Sequence, residues 1–184
     1  MIAYPVALFL LGALISCMST GFSQGLSLPT LPLLFLPVIF GYQLITSGTE
    51  EFGWRGFLQP LLQKKYTAEK SCLLVGLLWS VWHLPFIIYM NYANGPLLTA
   101  ISAAGFIALT IPQAFIFGWL YNSTKSVFAC MLFHAWSNTT SFYILSMSPN
   151  SSFATIFIAV FTWLASNYLI KKFGKEKLAL MPSK

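Results

Sequence analysis

The sequence predicts an all-α protein, a polytopic membrane helix bundle of about six transmembrane helices. Its 184 residues have a mean hydropathy of +0.74; 57% are hydrophobic and only 8% are charged. A soluble domain carries about 25% charged residues. So little charge cannot cover a water-soluble surface, and we therefore expect an integral membrane protein. Short lysine clusters between the apolar runs support this, because cytoplasmic links are enriched in Lys and Arg.

Six apolar runs are long enough to be membrane spans. In chain order the predicted spans are residues 1–18, 31–62, 71–90, 97–121, 127–146 and 153–170. The second run is longer than a bilayer requires at about 1.5 Å per residue, so we expect it to tilt or break near Pro37, Gly41 or Gly48. Pro112 is expected to kink the fourth span.

Basic and uncharged links alternate along the chain. Lysines occur in links 64–70 and 122–126 and in the C-terminal tail, whereas links 19–30, 91–96 and 147–152 carry no charge. This alternation predicts that both termini are cytoplasmic. The lysine clusters are topology signals rather than a nucleic-acid surface, because the chain has a single Arg. The tail that begins at Lys171 is expected to be loosely ordered.

Two adjacent carboxylates, Glu50 and Glu51, interrupt the second apolar run. The chain has no Asp and only four Glu, and ionisable residues within a membrane span are functional candidates by default. Glu51 and Arg55 are four residues apart, so an ion pair on one helix face is expected. Glu50 projects about 100° away from Glu51 and is the carboxylate that we predict to be used for chemistry.

The polar residues of three predicted helices lie at similar depth. Counted from the cytoplasmic links, Glu50, His83 and Asn138 each lie about 20 Å into the membrane at 1.5 Å per residue. His134 lies one turn nearer the cytoplasm and shares a face with Asn138, four residues later. Trp79 and His83 have the same spacing, which would place an indole beside the imidazole. A structural role as polar contacts between helices is the alternative for each residue alone.

This set of residues suits hydrolysis of an amide by water. A carboxylate with a nearby imidazole can deprotonate water, and a second His with an Asn amide can stabilise an oxyanion. An aspartyl protease is excluded because the chain has no Asp, and a serine protease is weakly supported. A zinc site made of Glu50, His83 and His134 is an alternative, although no H-E-x-x-H motif is present.

Three motifs resemble those of the CPBP family, which comprises CAAX prenyl endopeptidases of the Rce1 type and bacterial bacteriocin-processing or immunity proteins, also called Abi proteins. The resemblance covers roughly residues 47–140. Two stretches that overlap the first two motifs are similar to the bacterial branch of this family: Glu-Glu-Phe-Gly-Trp-Arg-Gly-Phe-Leu-Gln-Pro and Trp-His-Leu-Pro-Phe. The motifs are Glu50-Glu51-x-x-x-Arg55, Trp79-x-x-x-His83 and His134-x-x-x-Asn138.

The resemblance implies an intramembrane glutamic endopeptidase with a conical active-site cavity open to the cytoplasm. It implies that Glu50 and His83 activate water and that His134 and Asn138 form the oxyanion hole. Arg55 would support the Glu pair. No cofactor is expected, although the family has long been described as metal-dependent and zinc remains an alternative.

The implied substrate is a membrane-associated peptide, either prenylated or carrying a leader. The implied location is the bacterial plasma membrane, and a bacteriocin or an operon-encoded protein is a candidate partner. Two other functions remain: an immunity protein that acts by binding, and a proton-coupled transporter with Glu50 as relay. We predict N-terminal transmembrane helices in 1–46, a catalytic core in 47–146, and the last transmembrane helix with its basic tail in 147–184.

Overall fold

The computed structural model describes residues 33–146 and 151–180 and the isolated positions 6–7, 10–11 and 14. Most of the predicted first span and the link 19–30 lie outside the described residues. Within the described ranges the chain is helical and contains no strand. The α-helices are α1 (Leu36–Gln43), α2 (Gln59–Leu62), α3 (Ala68–Asn91), α4 (Pro96–Thr124), α5 (Val127–Ser146) and α6 (Ser151–Phe173).

Three described segments are long and apolar enough to cross a membrane: Ala68–Asn94, Pro96–Thr124 and Ile156–Phe173. They correspond to the third, fourth and sixth predicted spans. The all-α membrane bundle predicted from composition is therefore confirmed.

The second predicted span is interrupted by wider helical turns rather than by a proline kink. Pro37 lies in the first turn of α1, where its missing N–H is harmless. Two π-helical segments, Leu44–Gly48 and Phe52–Leu58, flank the glutamate pair instead. Because a π turn bonds residue i to i+5, it changes the direction of the following side chains. The ion pair of Glu51 with Arg55 was inferred from α-helical spacing and stays a prediction.

The chain forms two compact units. The first comprises Met1–Glu51 and Val127–Phe161, and the second comprises Phe52–Ser126 and Thr162–Lys184. The three predicted regions, 1–46, 47–146 and 147–184, stay a prediction.

In the first unit, α1 and the π-helical segment that follows it pack antiparallel against α5. The rings of Phe40 and Trp136 meet edge to face at 6.3 Å between centroids. Further along, Gly48 lies so close to α5 that an added Cβ would be 3.2 Å from the Met131 carbonyl oxygen. The absence of a side chain at Gly48 therefore permits the close packing on which the site depends.

In the second unit, α3 and α4 form a closely packed antiparallel pair. A 3₁₀ turn, Tyr92–Asn94, and Gly95 with φ of +88° connect them. An added Cβ on Gly76 would lie 3.0 Å from Ile111 Cα, and one on Gly118 would collide with the Cys72 thiol. Small residues at these positions let the two helix backbones approach each other.

The C-terminal tail contacts the start of α3, so the expectation of a loosely ordered tail is wrong for residues 174–180. The backbone N–H groups of Ala68 and Glu69 donate to the carbonyls of Glu176 and Lys175, at 3.0 and 2.9 Å. Leu178 is fully buried. The first N–H groups of any helix lack partners within it, and here the carbonyls of the tail supply them.

Candidate active site

Glu51 and His134 form a buried pair in the first unit. Oε1 of Glu51 lies 2.9 Å from Nδ1 of His134. Glu51 is fully buried and His134 is 6% exposed. A hydrogen bond to an ionised carboxylate is short and strong when water is excluded. The structure thus places Glu51, predicted only as a supporting residue, against one of the two histidines of the motifs.

This contact determines the chemistry available to His134. A carboxylate accepts the proton of Nδ1, so Nε2 of a neutral His134 ring carries the lone pair. Nε2 becomes a donor only when the ring is an imidazolium. His134 can therefore stabilise an oxyanion in its protonated form.

Asn138 is held by a residue that sequence reasoning missed. Its Nδ2 donates to Oε1 of Gln43 at 3.2 Å, and the Ser47 hydroxyl donates to the same oxygen at 2.9 Å. All three side chains are half-buried. The available signal was spacing, because Gln43 precedes Glu50 by seven residues and is the sole amide side chain in the run 31–48.

His83 belongs to the second unit and is fixed by its own helix. Its Nδ1 lies 3.0 Å from the Trp79 carbonyl oxygen. Because a carbonyl only accepts, Nδ1 carries the hydrogen and Nε2 of the neutral ring is the acceptor. The ring also packs against Trp82, at 4.7 Å between centroids, and Phe106, at 5.0 Å. His83 is thereby oriented as a proton acceptor.

Arg55 is fully buried in the second unit beside two aromatic rings, Trp79 and Phe117, which contact each other edge to face at 5.8 Å between centroids. Its guanidinium carbon lies 4.7 Å from the centroid of the Trp79 ring and 4.5 Å from that of Phe117. Such stacking favours a planar cation over a ring face. Trp79 thus contacts both Arg55 and, edge to face at 6.2 Å, His83. Nothing in the sequence pattern singled out Phe117.

The predicted site residues are divided between the two units. Glu50, which is half-buried, lies in the first unit with Glu51, His134 and Asn138. The second unit contains Arg55, Trp79 and His83. The joint use of Glu50, His83 and His134 at one catalytic centre stays a prediction.

No group of three or more His, Cys, Asp or Glu side chains is arranged to hold a metal ion in residues 33–146 and 151–180 or at the other described positions. The zinc alternative with Glu50, His83 and His134 stays a prediction. We derive no chemical step through a metal.

Comparison with known proteins places these motifs in a family. The model of type II CAAX prenyl endopeptidases, Rce1-like, matches residues 32–140, which include all three motifs. CAAX prenyl protease 2 of Methanococcus maripaludis is 33% identical over 116 residues, covering 61% of this chain and 41% of the relative. Lysostaphin resistance protein A of Staphylococcus haemolyticus is 25% identical over 131 residues, covering 70% of this chain and 33% of the relative.

The matched part of the chain thus spans less than half the length of each of these curated relatives. The family model nevertheless covers more than half of this chain and extends from α1 into α5. The chain is an integral membrane protein that belongs to the Rce1-like family of type II CAAX prenyl endopeptidases.

Proposed function

We propose that this protein is an intramembrane endopeptidase that hydrolyses a peptide bond of a membrane-associated peptide. One observation carries the proposal: both members of the His134-x-x-x-Asn138 motif are held from the facing segment, His134 by Glu51 and Asn138 by Gln43. Fixed donors of this kind are what a developing oxyanion requires. The family membership makes peptide hydrolysis the reaction class that these donors would serve.

The proposed reaction begins with Glu50 and His83 acting on one water molecule. His83, with its Nδ1 engaged by the Trp79 carbonyl, accepts a hydrogen bond at Nε2 and orients the water, while Glu50 takes its proton. The hydroxide attacks the scissile carbonyl carbon, and the carbonyl electrons move to the oxygen. The C–N bond then breaks, and Glu50 returns its proton to the leaving amine.

His134 and Asn138 stabilise the negative oxygen of the tetrahedral intermediate. The Asn138 amide donates one hydrogen bond, and Nε2 of a protonated His134 donates another. The buried Glu51 carboxylate offsets the positive charge of that ring. In this mechanism Glu51 acts through His134 and does not touch the substrate.

The substrate class follows from the relatives. One is named a CAAX prenyl protease, so a peptide with a prenylated C-terminal cysteine motif is the first candidate, and a leader peptide delivered to the membrane is the second. We propose that the protein acts in a bacterial plasma membrane with both termini in the cytoplasm, in agreement with the alternation of lysine-rich and uncharged links.

A second function is favoured by the other relative, which is named a resistance protein. In that case the chain would protect the cell by binding a partner, such as a bacteriocin, without cutting it. The motif residues would then serve recognition rather than catalysis.

Replacement of Glu50 by Gln separates the two functions. The purified protein in detergent is incubated with a prenylated peptide and with a leader peptide, and cleavage is followed by mass spectrometry. We expect Glu50→Gln to abolish cleavage, and Glu176→Gln, a change of an exposed glutamate in the tail, to leave it unchanged. Full protection of cells by Glu50→Gln without any cleavage by the unsubstituted protein would overturn the endopeptidase proposal.

A further inference from the structure

We infer that Gln43 is a positioning residue that sets the direction of the Asn138 amide, an inference that rests on the proposed oxyanion role of Asn138. Gln43 lies at the last position of α1, where the π-helical segment begins. Its Oε1 accepts a hydrogen bond from Asn138 Nδ2 at 3.2 Å. No motif of the sequence includes Gln43.

The direction of the amide determines whether Asn138 can donate. An amide nitrogen carries two hydrogens, so one can bond Gln43 while the other is directed at a substrate oxygen. If the amide were rotated by half a turn, its oxygen would face Oε1 of Gln43, and two acceptors would be opposed. With its Oε1 directed at Asn138, Gln43 therefore favours the rotamer in which Asn138 can act on an oxyanion.

Gln43 is itself held in place. The Ser47 hydroxyl donates to the same Oε1 at 2.9 Å, and the packing of Phe40 on Trp136 and of Gly48 on Met131 holds the two facing segments together. Oriented groups contribute to catalysis only when their supports are fixed.

Glu51 and Gln43 have the same kind of role, because each holds one of the two proposed oxyanion donors. They lie eight residues apart on one segment, and their partners His134 and Asn138 lie four residues apart on α5. One segment therefore fixes both proposed oxyanion donors, one through a carboxylate and the other through an amide oxygen. We assign Gln43 to the same supporting set as Glu51.

The test compares Gln43→Leu, which cannot accept a hydrogen bond, with Gln43→Glu, which can only accept. Removal of an oxyanion donor costs about 10²- to 10³-fold in kcat. Because Gln43→Leu only loosens the donor, we expect a smaller loss, about tenfold, with KM little changed. Gln43→Glu should recover most of the rate, because its carboxylate still receives the Asn138 hydrogen. Thr46→Ala is the control and should stay near the unsubstituted rate, because the exposed Thr46 hydroxyl donates to the Tyr42 carbonyl of its own helix.

A double-mutant cycle tests whether Gln43 affects the rate through Asn138. In the Asn138→Ala background, Gln43→Leu should cause no further loss of kcat, because the group that it positions is gone. An additional loss there, or a Gln43→Glu variant as slow as Gln43→Leu, would overturn the inference. If Asn138→Ala itself keeps its full kcat, the oxyanion role fails, and with it the proposed function rather than the Gln43 contact alone.

A second measurement does not depend on activity. In ¹⁵N-labelled protein, the side-chain amide protons of Asn138 should shift on Gln43→Leu and stay in place on Thr46→Ala. If Gln43→Leu does not fold, Gln43→Asn serves instead, since its side chain is one methylene shorter and ends short of Nδ2. Unchanged Asn138 amide signals in the folded variant would contradict the contact.

Discussion

The carboxylate of Glu51 and the imidazole of His134 lie 2.9 Å apart in a buried environment, on two segments separated by 83 residues in sequence. A carboxylate that accepts the Nδ1 proton of a histidine fixes the tautomer and orientation of the ring, as the acid does in Ser-His-Asp triads. Glu51 thus supports a histidine of the proposed catalytic machinery from the first unit. Glu50, its neighbour, retains the predicted role of base.

Glu51→Gln should reduce cleavage strongly. An amide can donate to Nδ1 and hold the ring in the wrong tautomer, and it no longer stabilises a charged ring, so we expect kcat to fall about 10²-fold or more with KM little changed. Glu69→Gln, which alters the more exposed pair with Lys175 at 3.3 Å, is the control. Steady-state kinetics of the two variants makes the comparison, and normal kcat for Glu51→Gln would refute a role for the pair in catalysis.

Arg55→Lys should destabilise the protein although the charge is kept. An ammonium has no planar face to pack against the rings of Trp79 and Phe117, and we expect a loss of about 2 kcal/mol in the free energy of unfolding. The melting temperature of the detergent-solubilised protein reports this loss. Lys70→Ala is the control, because that lysine lies over Tyr66 at 4.4 Å on an exposed surface. Equal melting temperatures for Arg55→Lys and the unsubstituted protein would argue against the stacking contribution.

Replacement by alanine should have different effects on stability at two glycines of α4. Gly118→Ala places a Cβ against the Cys72 thiol, whereas Gly105 has open space around it. We expect Gly118→Ala to lower the melting temperature by forcing α3 and α4 apart, at a cost of about 1–3 kcal/mol. Gly105→Ala should leave the melting temperature unchanged or raise it, since Ala favours helix. Similar melting temperatures for the two variants would contradict the close approach at Gly118.

Leu178 should anchor the tail, and Leu180 should not. Leu178 is fully buried against Ala68, Cys72 and Phe115, whereas Leu180 is 55% exposed. Leu178→Ala is therefore expected to cost about 2 kcal/mol or more, and Leu180→Ala to have little effect. Limited proteolysis of the tail in membranes measures the difference. Equal cleavage rates in the two variants would show that burial of Leu178 does not hold the tail.

Removal of metal should leave cleavage unchanged. The proposed reaction uses Glu50 and His83 on water and contains no step that needs an ion. We expect full activity after dialysis against a chelator, measured with the same peptide substrates. A loss that added zinc restores would instead favour the ligand set Glu50, His83 and His134.

The membrane location and the family motifs could be predicted from the sequence, because they depend on composition and on spacing along the chain. Low charge excludes a soluble globule, and apolar runs of sufficient length form spans, as α3 and α4 do. Counting along a helix predicts a common depth for Glu50, His83 and Asn138, and that depth stays a prediction. The motif spacings then identified the family that comparison confirmed.

The partners of those residues depend on tertiary structure. The division of roles within the glutamate pair was inferred from α-helical periodicity, but π-helical turns on both sides of the pair change the directions of neighbouring side chains. The contact between Glu51 and His134 requires the π-helical segment Leu44–Gly48 to pack closely against α5 at Gly48, which no local pattern specifies.

The role of Gln43 and the order of the tail also depend on contacts between segments that are distant in sequence. Gln43 gains its role only because Asn138, 95 residues later, lies beside it. The tail is ordered because the unsatisfied N–H groups of Ala68 and Glu69 lie within reach of its carbonyls. The sequence by itself thus determined that this is an all-α membrane protein of this family. Tertiary structure decided which side chain supports which, because hydrogen bonds between distant segments form only after the helices have packed.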